Sequence, residues 1–115
     1  MNTATNDFTG DVSFTTAGTS GNVTVVDASA FELDTSTING NLSLTANGSI
    51  TDENDSVITV TGTADLINLG SNNHTVDLTD GWHMWGDTVT ITGHHAKIAS
   101  GGAIKLGNIT ATIGQ

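Results

Sequence analysis

The chain has no cysteine, no proline, no tyrosine and no arginine. Without cysteine there is no disulfide framework, no thiolate zinc site and no cysteine nucleophile. The compartment stays open on this count, since exported proteins also do without disulfides. Positive charge is equally scarce: Lys97 and Lys105 stand against 12 acidic residues, for a net charge of -10. Nothing here neutralises a row of phosphates, so nucleic acid is not expected as a partner. An anionic membrane surface is disfavoured for the same reason. Apolar runs are only a few residues long, so no membrane insertion is expected. Residues 1–10 show no basic stretch leading into an apolar one, so no signal peptide is read there. That leaves a cytoplasmic chain, or a mature or internal part of an exported protein. At 115 residues the expectation is a single domain, 1–115.

Thr, Gly, Asn and Ser make up almost half of the chain. Such a composition is compatible with disorder, but the apolar pattern argues against it. Val, Ile and Leu come in short alternating pairs with Thr or Ser between them, the pattern of half-buried strands. No stretch keeps apolar residues at helical spacing, and Thr, Asn, Gly and Val are poor helix formers. The expected class is all-β.

Internal repetition narrows the fold further. Gly21-Asn22-Val23-Thr24-Val25 aligns with Gly40-Asn41-Leu42-Ser43-Leu44 at an offset of 19, and the match extends through Phe31 and Ile50. One series of apolar pairs runs Val23/Val25, Leu42/Leu44, Ile58/Val60, Val76/Leu78, Ala96/Ile98 and Ala111/Ile113. A second runs Val12/Phe14, Phe31/Leu33, Ile50, Leu66, Val89/Ile91 and Ile104/Leu106. This spacing predicts a β-solenoid of about six rungs, each of roughly 19 residues and two strands. Inward members fill a narrow core, outward Thr and Ser face water, and Gly, Asn and Asp turn the corners. A sandwich would give no reason for a fixed offset with matched flanks.

The segments NDFTGDVSFTTAG, GNVTVVDASAFEL, GNLSLTANGSIT and VITVTGTADLINLGSNNHTVDL resemble the repeat region of filamentous-haemagglutinin-type exoproteins, the large secreted adhesins of two-partner secretion. The resemblance covers residues 6–79 well and 85–113 loosely. It implies a right-handed parallel β-helix, export to the bacterial cell surface, and a structural or adhesive shaft. The motifs of that family's secretion domain are not found, so the chain reads as an internal segment or a short relative reusing the repeat.

Candidate sites fall in the second half. Asp80–Asp87 holds both tryptophans and reads as an extra-long corner. Trp82, His83, Met84 and Trp85 are the candidate contact for a ligand or partner, an aromatic platform suited to a sugar. The competing reading folds these aromatics back over the solenoid wall. His83, His94 and His95 are the candidate metal ligands, imidazole suiting zinc or copper. No helical HxxxH spacing supports them, and solvent-facing corner histidines are the bland alternative. Asp52-Glu53-Asn54-Asp55 offers carboxylates to calcium but lacks the known calcium-loop patterns, and reads as a solvated corner.

No cofactor is expected. Catalysis is not expected either: there is no GxSxG elbow, P-loop or HExxH, and two lysines give little basic partnering for a polysaccharide lyase. Outward threonines such as Thr59/Thr61, Thr75/Thr79, Thr88/Thr90/Thr92 and Thr110/Thr112 suggest an ice-binding face, but Val26, Ser43, Asp77 and Lys97 interrupt the ranks. The expected function is a non-enzymatic structural or adhesive segment of a secreted or surface fibre protein. Its expected partners are itself, by end-to-end stacking, or the rest of a longer exoprotein, and host or matrix glycans. The alternative is a carbohydrate- or ice-binding module.

Overall fold

The computed structural model describes residues 6–18, 20–69, 75–79, 81, 83–93, 95–102 and 104–111, with the backbone alone for 108–111. The described residues form strands and corners, with no helix long and apolar enough to cross a membrane. The strands are β1 (Asp11–Val12), β2 (Val23–Asp27), β3 (Phe31–Leu33), β4 (Ser36–Ile38), β5 (Leu42–Ala46), β6 (Ile50–Asp52) and β7 (Ile58–Val60). They continue with β8 (Ala64–Asn68), β9 (Thr75–Leu78), β10 (Met84–Trp85), β11 (Thr88–Gly93), β12 (His95–Ile98) and β13 (Lys105–Ala111).

Three parallel sheets form the walls of a β-solenoid. The first has the order β1-β3-β6-β9-β12, the second β4-β7-β10, and the third β2-β5-β8-β11-β13. Among the described residues all strand pairs are parallel, each joining a strand to its counterpart one turn away. The chain visits the third sheet, then the first, then the second, and begins again. Parallel neighbours cannot be joined by a tight hairpin, so a winding path is what the alternating pairs require.

The all-β solenoid therefore stands, with two corrections. Among the described residues the turns that begin at β2, β5 and β8 have three strands rather than two, the turn from β11 to β13 has two, and four turns link the five strands of each larger sheet, rather than six rungs. Nor is the turn length constant. Val23 to Leu42 is 19 residues, Leu42 to Ala64 is 22, Ala64 to Val89 is 25, and Val89 to Leu106 is 17. The added residues lie in corners, where insertion leaves strand pairing intact. The third strand was hidden because β4 and β7 carry the same apolar alternation as their neighbours. Ile58/Val60 thus belong to the second sheet, not above Leu42/Leu44, and Val76/Leu78 to the first.

The inward members stack into aliphatic columns. Val25, Leu44, Leu66 and Ile91 lie in register along the third sheet, and Phe31, Ile50, Val76 and Ala96 along the first. Val25, Leu44, Leu66, Phe31, Ile50 and Val76 have no exposed surface. At the β1 end Phe14 stacks on Phe31 at 6.4 Å, while Phe8 meets it edge-on at 5.8 Å. At the other end Leu106, in register with the inward Val89, keeps 53% of its surface exposed.

The repeated Gly-Asn corner has a direct physical basis. Asn22 Oδ1 accepts the backbone N–H of Asn41 at 2.8 Å, and Asn41 Oδ1 accepts that of Thr63 at 2.9 Å. Each asparagine thus satisfies a corner amide one turn further along, which would otherwise lack a protein partner. The preceding glycine leaves room for that side chain: a Cβ at Gly62 would fall on the Asn41 carboxamide.

Candidate functional site

The chemically distinctive place is inside the wall, where two polar side chains replace aliphatic ones. In the first sheet Val12 is in register with Leu33, and Leu33 with Asp52. Asp52 thus stands at an inward position of an aliphatic column and is only 5% exposed. The acidic run does not converge as a solvated corner would. Asp52 points in, Glu53 lies at the surface, and Asn54–Asp55 make a turn in which Asp55 adopts φ 59°. Asp tolerates this left-handed conformation better than most residues.

His83 supplies the partner. It immediately precedes β10, whose Met84 and Trp85 lie in register with Thr59 and Val60 of β7. His83 is fully buried, and its Nε2 lies 2.6 Å from Asp52 Oδ2. Its Nδ1 accepts the backbone N–H of Ile58 at 3.1 Å. That second bond fixes the tautomer. A nitrogen facing an N–H donor must offer its lone pair, so in the neutral ring the proton sits on Nε2 and is donated to Asp52. The Trp85 ring lies edge-on to the imidazole at 5.9 Å. Gly81 passes so close that a Cβ there would lie 2.9 Å from His83 Cε1 and collide with the Ser56 carbonyl. Burying a carboxylate without compensation is costly, and a hydrogen-bonded imidazole is a suitable counterpart. With both ring nitrogens engaged and the imidazole fully buried, the pair ties strands together.

The other predicted residues are dispersed. Trp85 is inward and 5% exposed, its indole N–H donating to the Ala99 carbonyl at 2.8 Å, so it packs in the wall instead of projecting from it. Met84 is outward and 43% exposed. Trp82 and His94 lie outside the described residues. His95 opens β12 next to the core-packed Ala96, which puts it on the outer face of the first sheet, across the wall from the interior that holds His83. The structure therefore does not bring His83 and His95 together.

Among the described residues, the group with metal-ligand proximity is Asp11, Glu32 and Glu53, whose carboxylate oxygens lie within 4.8 Å of one another. Such oxygens suit a hard cation. Desolvation, then the charges of Glu53, Asp11, Asp34 and Asp52, raise the Glu32 pKa above its ordinary value. Outward threonines form one short rank, Thr15–Thr37–Thr59 in the second sheet, which Met84 continues. In the third sheet one outward column reads Thr24, Ser43, Asp65, Thr90 and another Val26, Thr45, Ile67, Thr92.

The parallel three-sheet coil, with its stacked corner asparagines, is the geometry of a repeat protein. A family model described as repeats of unknown function (DUF5649) matches residues 20–92. The chain belongs to this family. The match runs from the corner before β2 through most of β11, so the matched region includes the Asp52–His83 pair as well as the corner ladder. Comparison with curated proteins and with solved structures finds no match. Asp52 is legible on carrying the 19-residue alignment two residues past Ile50, where it falls on Leu33. His83 gave no such signal, because the turn that carries it is longer.

Proposed function

We propose that the chain is a non-enzymatic shaft segment of a surface-exposed or secreted bacterial fibre protein of the filamentous-haemagglutinin type. The carrying observation is the parallel strand pairing in three walls around an apolar core. Such a coil transmits load along its axis through backbone hydrogen bonds while its corners vary freely. Four turns rise only about 19 Å at roughly 4.8 Å per strand. A shaft of useful length therefore needs many such segments, joined in a longer exoprotein or stacked end to end. The outward column of the first sheet has a polarity suited to head-to-tail stacking. It runs Asp11, Glu32, Thr51, Asp77, Lys97, with acid at one end and a lysine at the other.

Sedimentation velocity across a concentration series, combined with negative-stain electron microscopy, tests the assembly. Elongated oligomers that lengthen with concentration are expected, and a strictly monomeric profile overturns self-stacking. Antibody against the chain should label the outside of intact cells. Labelling only after permeabilisation overturns the surface assignment.

A further inference from the structure

We propose that His83 is a proton-sensitive latch between adjacent turns, held to Asp52 and released from Ile58 by acid. The device follows from which atom each ring nitrogen faces. Nε2–H points at a carboxylate, 2.6 Å away, and Nδ1 at an amide N–H, 3.1 Å away. Adding a proton at Nδ1 turns the second contact from a hydrogen bond into two donors facing each other. The first contact responds in the opposite sense, because an imidazolium–carboxylate bond is stronger than its neutral counterpart. The ring thus stays anchored on β6 and lets go of β7.

The place where it lets go is a briefly paired stretch of wall. The second sheet has three strands, and β10 meets β7 at only two register positions, Met84 on Thr59 and Trp85 on Val60. The His83–Ile58 bond is the next contact along that seam, made by a side chain instead of a carbonyl. The titratable group facing His83 is Asp52 of β6. Ile58, Gly81 and Trp85 also lie against the ring, with Ser56 beside Gly81, and none of them titrates. Glu53 and Asp55 of the preceding corner lie toward solvent. Acid therefore loosens β10 from β7 while the five-stranded sheets stay paired, a local opening rather than a global melt.

Nitrogen-15 NMR of the intact chain reads the tautomer, and amide hydrogen exchange reads the latch. Near pH 7.5, His83 should show a protonated Nε2 and a bare Nδ1. As pH falls from about 7.5 to about 4.5, the Ile58 amide, corrected for intrinsic exchange, should lose about fivefold to tenfold protection. The Leu44 amide should hold. A proton found on Nδ1 at pH 7.5 overturns the proposal. So does Ile58 protection that stays constant while the His83 ring titrates.

Discussion

Asp52 stands one turn above Leu33 in an aliphatic column, and His83, 31 residues further along, meets it at 2.6 Å. The pair is a buried substitution of polar for apolar, and its energetic worth lies in mutual compensation. His83→Leu removes the imidazole and leaves the carboxylate inside, which should cost about 3 kcal/mol. Adding Asp52→Leu restores the residue type of the column and should recover about 2 kcal/mol of that loss. The remainder reflects the Ile58 N–H, left without its acceptor. Urea denaturation at neutral pH measures both variants. A double variant as unstable as His83→Leu would show that the carboxylate was not the source of the cost.

Leu44 lies between Val25 and Leu66 in the third sheet and has no exposed surface. Leu44→Ala should destabilise by about 2–5 kcal/mol, the range for a buried leucine whose neighbours cannot collapse. Thr45, the next residue on the same strand, faces outward, and Thr45→Ala should change stability by about 0.5 kcal/mol or less. Thermal unfolding of the two variants checks the inward and outward assignment directly, because a one-residue slip would exchange their effects.

Glu32 sits at the surface among like charges, with its pKa raised by desolvation and by Glu53, Asp11, Asp34 and Asp52. A raised carboxylate pKa means that the ionised form is disfavoured by folding. Glu32 therefore weakens the fold at neutral pH, and this penalty disappears as pH falls through its folded pKa. Glu32→Gln should stabilise the protein at pH 7 by a few tenths of a kcal/mol, solvent screening keeping the gain small. The gain should shrink in high salt and vanish in acid. Denaturation of wild type and variant at several pH values tests it. A gain that grows on acidification would show that repulsion is not the cause.

Much of the coil was legible because its physics is local and periodic. The Gly21-Asn22 and Gly40-Asn41 corners repeat because each asparagine serves the amide one turn on, and Val23/Val25 over Leu42/Leu44 repeats because inward members must stack. The second sheet was not legible as a separate wall. Ser36–Ile38 and Ile58–Val60 carry the same alternation as the other walls, and alternation reports burial without saying which wall a strand joins. His83 was misread for a related reason. A histidine near Gly and Asp looks like a corner residue until the strand after it, Met84–Trp85, fixes which way it points. Trp85 reads from the sequence as part of an extra-long corner, either a contact platform or folded back over the wall, and its register with Val60 makes it a wall residue.

The corner ladder separates two ways in which a side chain can matter. Asn41 Oδ1 accepts the Thr63 amide at an exposed corner, so Asn41→Ala should cost only about 0.5–1 kcal/mol, water taking over part of the bond. Asn41→Asp keeps an acceptor oxygen and should stay close to wild type. Gly62 is different in kind. A Cβ there meets the Asn41 carboxamide and also lies 2.7 Å from the Gly40 carbonyl oxygen, which is backbone and cannot turn aside. Gly62→Ala should therefore cost about 1–3 kcal/mol, and most of that cost should persist when Asn41 is also alanine. Chemical denaturation of the two single variants and the double variant decides the matter. Full rescue of Gly62→Ala by Asn41→Ala would mean that the asparagine, not the packing of one turn on the next, sets the need for glycine.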